Sequence, residues 1–156
     1  MSKSSQYTHY MQRIDITASA IDIENYNDFK GLRYMKTDGM NTIGKSKNVY
    51  TETYADSDRL RVHLPNNGEY TNEATKITMH FLIIGNASTR ESTLRNFTTY
   101  LRTGIHKYWD DARNLEFDFI VQDEIKVSDE MWHGSTPYVE IAVTMQNLNG
   151  KTKPHS

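Results

Sequence analysis

The pattern with the most specific chemical meaning runs from Gly39 to Ser46, where the residues GMNTIGKS satisfy the phosphate-loop consensus G-x-x-x-x-G-K-S/T. In such loops, successive backbone amides surround the phosphates, the lysine reaches the terminal phosphates and the hydroxyl binds magnesium. This chemistry needs a buried parallel strand before the loop and a helix that begins at the lysine, here Lys45. Instead, residues 32–38 are polar and charged, and residues 47–54 alternate as a strand does. The sequence therefore favours a glycine-containing hairpin loop and leaves a P-loop nucleotide-binding enzyme as an alternative.

Other side chains that could do chemistry are dispersed along the chain. No two of the six histidines stand three or four residues apart, although His63 and His80 lie in alternating segments and could face one another across a sheet. Two ligands are too few for a zinc site. Asp110 and Asp111 are adjacent carboxylates, but they fall in a predicted turn, where aspartate is favoured for backbone reasons. Without cysteine or a G-x-S-x-G motif, the sequence predicts no enzyme: no catalytic residue, no metal and no cofactor.

Aromatic residues are the third group that could bind a ligand. Tyr100, Tyr108 and Trp109 cluster around the end of a predicted helix, and Trp132 lies in a predicted loop before Tyr138. Such rings could stack on sugars, or on bases as they do in single-strand binders. They are also enriched at partner interfaces. The sequence favours a core and interface role, and it keeps a small glycan-binding β-sandwich as a second alternative.

The elements that would position these side chains are mostly strands. Apolar and polar residues alternate at the period of a half-buried strand in Ile14–Ile16, in Lys76–Ile84 and in Tyr138–Met145, among other segments. Because alternate side chains of a strand point to opposite faces, each of these segments would bury one face and expose the other.

One helix is predicted, over about residues 89–103. Ser88 and Glu91 match a capping box, in which each side chain satisfies an unpaired amide at the helix start. An apolar stripe of Leu94, Phe97 and Leu101 follows at spacings of three and four residues, and a glycine at position 104 can supply the left-handed stop.

The order of the elements predicts an α+β, mainly β fold. One helix among many strands favours an antiparallel β-sandwich or barrel with that helix on its flank. A length of 156 residues fits one domain. We expect this domain over residues 13–148, between a flexible N-terminal segment, 1–12, and a flexible tail, 149–156.

Composition excludes several classes of function. The longest apolar run, residues 81–84, is far shorter than the ~20 residues of a membrane helix. The N-terminal residues carry no apolar core of a secretion signal, so we expect a protein made in the cytoplasm. A formal net charge of −2 gives no global attraction to nucleic acid and predicts no sequence-specific contact with it.

Charges are unevenly distributed along the chain. Residues 30–47 contain five basic residues and one acidic residue, a net +4, whereas residues 110–130 contain eight carboxylates and two basic residues, a net −6. Solvated faces of opposite sign would explain this pattern. A contact between copies, basic loop against acidic strands, would explain it too, and head-to-tail contacts of that kind close into rings. The candidate contact residues are Lys36, Lys45, Lys47, Asp118, Asp123 and Glu124.

Four segments follow one another in a characteristic order: ITMHFLIIG (77–85), STRESTLRNFTTYL (88–101), YWDDAR (108–113) and PYVEIAV (137–143). This layout, an apolar strand ending in glycine, one helix and further strands, resembles tailed-bacteriophage tail proteins, and is most similar to distal tail proteins and their tail-tube relatives. The resemblance implies a non-enzymatic structural subunit with a β-sandwich or barrel. It also implies that copies assemble into a ring, a hexamer in that family, which sits in the virion tail with other tail proteins and has a central channel for DNA.

Overall fold

The computed structural model describes residues 7–53 and 60–155. These residues form twelve strands and one α-helix, with a short 3-10 turn at Asn27–Phe29. The elements in chain order are β1 (His9–Arg13), β2 (Ile21–Asp22), β3 (Leu32–Asp38), β4 (Tyr50–Thr53), β5 (Leu60–His63), β6 (Thr75–Ile84), α1 (Ala87–Leu101), β7 (His106–Asp110), β8 (Leu115–Ile120), β9 (Ile125–Val127), β10 (Met131–His133), β11 (Thr136–Asn147) and β12 (Lys153–Pro154).

Most of the strands belong to one antiparallel sheet, in which hydrogen-bonded neighbours follow the order β2-β1-β7-β8-β11-β6-β3. Strand β11 is central to this sheet and pairs with four other strands. One edge of β11 pairs with β6 from Tyr138 to Asn147, and the other edge pairs in turn with β10, β9 and β8. Strand β12 pairs with β8, while β4 and β5 form a separate two-stranded sheet. The predicted α+β, mainly β class is confirmed, and the large sheet is open.

The core lies on one face of β6 and β11, where the alternation in sequence predicted it. The inward side chains of β6 are fully buried: Ile77, Met79, Phe81 and Ile83. Facing residues of β11, such as Ile141, are buried beside them. Helix α1 packs against this face, and the ring of Phe97 meets that of Phe81 edge-on at a centroid distance of 5.0 Å. Burial of each such side chain stabilises the fold by about 1.5–3 kcal/mol.

Helix α1 begins two residues earlier than predicted. Its N-cap is Asn86, whose side-chain oxygen accepts a hydrogen bond from the backbone N–H of Thr89 at 2.9 Å. Asparagine caps a helix as well as serine does, so the nearby Ser88 and Glu91 gave a misplaced start. The predicted boundaries, 89–103, are therefore corrected to Ala87–Leu101. Within residues 7–53 and 60–155, no helix is long and apolar enough to cross a membrane.

Both terminal segments that were expected to be flexible contain strands. Strand β1 starts at His9, where pairing with β7 and burial of Met11 hold it in the sheet. In the tail, β12 pairs with β8, and the ring of His155 stacks on Trp109 at 4.4 Å. The sheet thus extends beyond residues 13–148 at both ends. Residues 1–6, which belong to the predicted N-terminal segment, lie outside the described residues.

Candidate functional surfaces

The segment Gly39–Ser46 does not form a phosphate loop. The N–H of Gly44 donates to the carbonyl oxygen of Gly150 at 2.8 Å, and the N–H of Glu73 donates to the carbonyl oxygen of Lys45 at 2.6 Å. A side chain at position 44 would place its Cβ 1.9 Å from the Glu73 carbonyl oxygen, so glycine is needed here for close backbone packing. Ser46 forms a β-bridge instead of starting a helix. This geometry does not fit a P-loop, because the N–H of Gly44 is already paired with Gly150 and a β-bridge stands where a helix would have to begin.

The histidine pair suggested by alternation does not form. His63 lies on β5, which pairs with β4, whereas His80 lies on β6 in the large sheet. There, Nε2 of His80 is 3.0 Å from an oxygen of Asp38. The expectation that the two rings face one another across a sheet is wrong because their strands belong to different sheets. In the described part of the chain, no group of three or more histidine, aspartate or glutamate residues could hold a metal ion.

Asp110 and Asp111 point in different directions and do not act as a carboxylate pair. Oδ1 of Asp110 accepts hydrogen bonds from the backbone N–H groups of Ala112 and Arg113, at 3.1 and 2.7 Å. Burial alone would raise the pKa of Asp110, but hydrogen bonds from Arg113 outweigh it and hold the pKa below its usual value. Asp111 accepts from the backbone N–H of Thr8 at 2.8 Å. The first carboxylate therefore fixes a turn, and the second fixes the start of the described chain.

Tyr108 connects this turn to the first and third strands. Its hydroxyl lies 2.8 Å from Nδ1 of His9 and 3.2 Å from a carboxylate oxygen of Asp110. Arg113 reaches the hydroxyls of both Tyr108 and Tyr34, at 3.3 Å each. Burial lowers the pKa of His9 and raises the pKa of Tyr108. We call these five residues the closing network, because they join β1 to β3, two strands that do not pair with each other. Its members are His9, Tyr34, Tyr108, Asp110 and Arg113.

The closing network holds the sheet together and is inaccessible to a substrate. A histidine, a tyrosine and an aspartate in contact could transfer protons in an open cleft. Here the exposed fractions of His9, Tyr108 and Asp110 are 3%, 0% and 1%. Sequence reasoning missed the network because its members are remote in the chain: His9 and Tyr108 are 99 residues apart.

The basic candidates are exposed, but they differ in their surroundings. Lys36 lies on β3, with its Nζ 3.6 Å from a carboxylate oxygen of Asp38. Lys45 and Lys47 follow in the loop, are exposed, and form no ion pair with any residue that the structure describes. Lys47 lines a groove of about 370 Å³ together with Tyr70 and two lysines near the C-terminus, Lys151 and Lys153. Positive charge is therefore concentrated around the loop, as the sequence predicted.

The acidic candidates do not form one surface. Asp118 accepts a long hydrogen bond, 3.4 Å, from the side chain of Asn149, which lines the same groove as Lys47. Asp123 is 3.3 Å from Nζ of Lys76, whereas Glu124 is exposed beside the end of α1. Much of the negative charge counted over residues 110–130 is neutralised within the chain. The pairs are Arg113–Asp110, Lys107–Glu116, Lys153–Glu116, Lys76–Asp123 and Arg90–Glu130.

The aromatic residues also separate into different environments. Tyr108 is buried in the closing network, and Tyr100 packs on Phe29 at 5.6 Å. Trp109 is stacked between Tyr10 and His155. Trp132 is 60% exposed on β10. These rings provide core contacts and one exposed side chain, and they do not line up as a stacking platform for sugars or bases.

An apolar groove of about 420 Å³ lies on the outer face of the large sheet, where β3, β6, β10 and β11 meet. Sequence reasoning missed it, because the alternation marks only which residues share a face and not which outer positions of different strands meet. The lining residues are Met35, Leu82, Ile84, His133, Thr136, Tyr138 and Glu140.

The hairpin of β4 and β5 is the other exposed feature. It pairs with no strand of the large sheet over the described residues. Val62 on β5 is 50% exposed, and Leu64 and Tyr70, which follow the hairpin, are 56% and 54% exposed. A two-stranded hairpin alone is marginally stable in water. Asn48 holds its base, because its side chain donates to the carbonyl oxygen of Glu69 and accepts from the N–H of Thr71.

Comparison with known proteins found similar folds among solved structures, but no match by sequence. No family model matches the chain, and no curated protein matches it. The fold resembles a phage baseplate chain. A chain in the structure of the phage p2 baseplate in its activated conformation with Sr matches with a TM-score of 0.53 and 11% sequence identity, over 89% of this chain and 44% of that chain. The same baseplate with Ca gives a TM-score of 0.48 at the same identity and coverage. This chain thus spans less than half the length of the solved chains that it matches.

Proposed function

We propose that this chain is a non-enzymatic structural subunit of a phage or prophage tail. In this proposal it is a distal-tail or tail-tube-like component that assembles with copies of itself into a ring. The observation that carries the proposal is the shared fold, a TM-score of 0.53 with a phage p2 baseplate chain over 89% of the present chain. The layout of strand, helix and further strands noted in the sequence independently supports the same class of protein.

Exposed features of the surface support self-association. The outer-face groove, the β4–β5 hairpin and the lysines of the loop are all available to a partner in the isolated chain. Interfaces combine an apolar centre with a polar rim, and the groove and the loop lysines offer these two kinds of surface. Among the charged candidates, Lys45, Lys47 and Glu124 are the best placed for contacts between copies, because Lys36 and Asp123 already have partners in their own chain.

This role defines the partners and the location. The partners are other copies of the chain and other tail proteins, and the location is the virion tail after synthesis in the bacterial cytoplasm. The resemblance to distal tail proteins favours six copies and a central channel through which DNA passes without sequence-specific contact.

Negative-stain electron microscopy of the purified protein tests the proposal. At low salt and high protein concentration, we expect ring-shaped particles with a central channel. The triple variant Lys36→Glu, Lys45→Glu, Lys47→Glu should give fewer rings, since it reverses the charge of the loop and of the adjoining end of β3. A matched control reverses Lys30, Arg95 and Lys126, which are exposed and lie outside the loop. Fields that hold only single subunits of the wild-type protein under these conditions would overturn the proposal.

A further inference from the structure

The groove on the outer face is a second apolar surface, separate from the core. Inward residues of β6 and β11 build the core, whereas Leu82, Ile84 and Tyr138 belong to the opposite face of the same strands. In the register of the sheet, Ile84 lies opposite Tyr138 and Leu82 lies opposite Glu140. Met35, at the irregularity where β3 shifts its register against β6, lies at the groove and is 42% exposed. A partner with an apolar side chain could therefore fill this groove.

The carboxylate of Glu140 gives the groove a charge. Glu140 is exposed, and its side chain forms no hydrogen bond or ion pair with any residue in the described ranges. The backbone around it is fixed, because the N–H of Glu140 donates to the hydroxyl of Ser128 at 2.9 Å. A segment that combines an apolar side chain with a nearby positive charge would complement both parts of the groove.

The loop after β3 has that combination. Ile43 is 69% exposed, the largest exposed fraction of any large hydrophobic side chain in the described parts of the chain. Lys45, two residues further, is exposed and has no ion pair within those parts. The N–H of Gly44 donates to the carbonyl oxygen of Gly150, and the carbonyl oxygen of Lys45 accepts from the N–H of Glu73. The backbone is thus fixed between Ile43 and Lys45, and at Lys45 itself. The isoleucine is therefore presented on a fixed backbone.

The loop and the groove lie at opposite ends of β6. Gly39 packs against the backbone of Lys76, at the start of β6, whereas the groove is formed by Leu82 and Ile84 at its end. Eight residues of antiparallel strand separate Lys76 from Ile84, a distance of about 27 Å. The loop is thus too far away to fill the groove of its own chain. A contact between them must join two copies head to tail, and contacts of this type close into rings when the rotation allows it.

We propose that Ile43 of one copy inserts into the outer-face groove of the next copy, with Lys45 placed against Glu140. The occupant of the groove is thus a second copy of this chain. The inference rests on the proposed function, since it assigns one contact of the ring. It differs from the contact expected from the sequence, because the acidic partner of the loop is Glu140 on β11 and not Asp118, Asp123 or Glu124.

Cysteine cross-linking tests this contact directly, because the chain contains no cysteine of its own. One preparation carries Ile43→Cys, and a second, with a tag of different mass, carries Met35→Cys. The two are mixed at low salt and oxidised mildly, and the cross-linked pair is measured on a non-reducing gel. A disulfide requires Cα atoms within about 7 Å, so only a true contact gives a high yield. The matched control replaces Ile43→Cys by Ile16→Cys, since Ile16 is also well exposed, at 52%.

A yield at least about tenfold above the control supports the contact, because the control reports only random collisions between exposed thiols. If wild-type protein forms rings but the two yields are equal, the proposed contact is wrong while the ring proposal stands. If wild-type protein is a strict monomer, both fail.

Charge exchange gives a second measurement of the same contact. Lys45→Glu should raise the dissociation constant of the assembly about tenfold, and adding Glu140→Lys in the same chain should restore it. Lys30→Glu makes the same change of charge at an exposed position outside both the loop and the groove, and it serves as the control. Failure of Glu140→Lys to restore assembly of the Lys45→Glu protein would contradict the pairing.

Discussion

The ring of His9 stacks on the ring of Tyr34 with their centroids 3.9 Å apart, although their strands, β1 and β3, lie five positions apart in the hydrogen-bonded order of the sheet. The sheet therefore curls until its two end regions touch. Glu24, just after β2, strengthens this closure, because its carboxylate accepts from the backbone N–H of Tyr34 at 3.1 Å. Side chains thus hold together two parts of the sheet that share no backbone ladder.

Removal of the Tyr108 hydroxyl should weaken this closure. In a Tyr108→Phe protein, His9 and Asp110 each lose a buried hydrogen-bond partner, so we expect the free energy of unfolding to fall by about 1–3 kcal/mol. Urea denaturation measures this change. Tyr10→Phe is the matched control, because Tyr10 stacks on Trp109 outside the closing network, and it should change stability by less than about 0.5 kcal/mol. Equal midpoints for the two variants would contradict the assigned role of the network.

Stability should also fall in mildly acidic solution. Burial lowers the pKa of His9, against the opposing effects of Glu24 and Asp110, and burial lowers the pKa of His106. Below the unfolded value of about 6.5, the unfolded chain therefore binds more protons than the folded chain, and each histidine costs up to about 1.4 kcal/mol per pH unit.

Urea midpoints measured at pH 7.5 and pH 5.5 check this prediction. We expect the lower midpoint at pH 5.5. The His106→Phe protein should show a smaller difference, because a phenyl ring can pack between Tyr100 and Phe119 without titrating. The Asp110 carboxyl does not contribute to a difference in stability between pH 7.5 and pH 5.5. Its lowered pKa stabilises the fold above about 3.8, the ordinary pKa of the carboxyl, and this stabilisation is lost only as the pH falls further. A midpoint that does not fall between the two pH values would contradict the burial of the histidines.

The sequence-based prediction and the structure assign different N-cap residues to α1, Ser88 and Asn86. Asn86→Ala removes the hydrogen bond to the N–H of Thr89 and should cost about 1 kcal/mol. Ser88, the cap expected from the sequence, is exposed in the first turn, so Ser88→Ala should leave stability nearly unchanged. Thermal denaturation of the two proteins compares them, and a larger loss from Ser88→Ala would restore the capping box at Ser88.

The Gly39–Ser46 loop should not bind nucleotides. Calorimetric titration with Mg-ATP is expected to give no binding heat for the wild-type protein, or for Lys45→Ala. Gly44→Ala should instead reduce stability, by about 1–3 kcal/mol, because its Cβ would overlap the Glu73 carbonyl oxygen. Magnesium-dependent binding that disappears in Lys45→Ala would contradict this account of the loop.

Sequence reasoning succeeded where one element carries its own signal. The alternation in β6 identified Ile77, Met79, Phe81 and Ile83 as one face, and all four are fully buried. The existence of one helix was likewise clear from the spacing of its apolar residues. Local alternation wrongly predicted a strand at Ile14–Ile16. There the carboxylate of Asp15 accepts hydrogen bonds from the Arg13 side chain and from the N–H of Ile105, and the segment leaves the sheet. Ile14 and Ile16 are accordingly exposed, and β1 lies just before them.

Features that depend on distant residues could not be predicted in this way. The closing network joins segments from both ends of the chain, and no spacing within either segment marks it. Charge counts over residues 110–130 also overstated the acidity of the surface, because Lys76, Lys107 and Arg90, all outside that segment, neutralise carboxylates within it. The two loop lysines, Lys45 and Lys47, kept the exposure that the sequence predicted, since no carboxylate of the described chain pairs with them.

Native mass spectrometry of the wild-type protein, recorded at low ionic strength over a range of protein concentrations, tests the central claim most directly. A self-assembling ring subunit should give one dominant oligomer of defined stoichiometry, which we expect to contain six copies. That oligomer should decline with added salt and in the Lys45→Glu protein, because both weaken the electrostatic contact. A protein that stays monomeric at the highest concentration and the lowest salt would contradict the account.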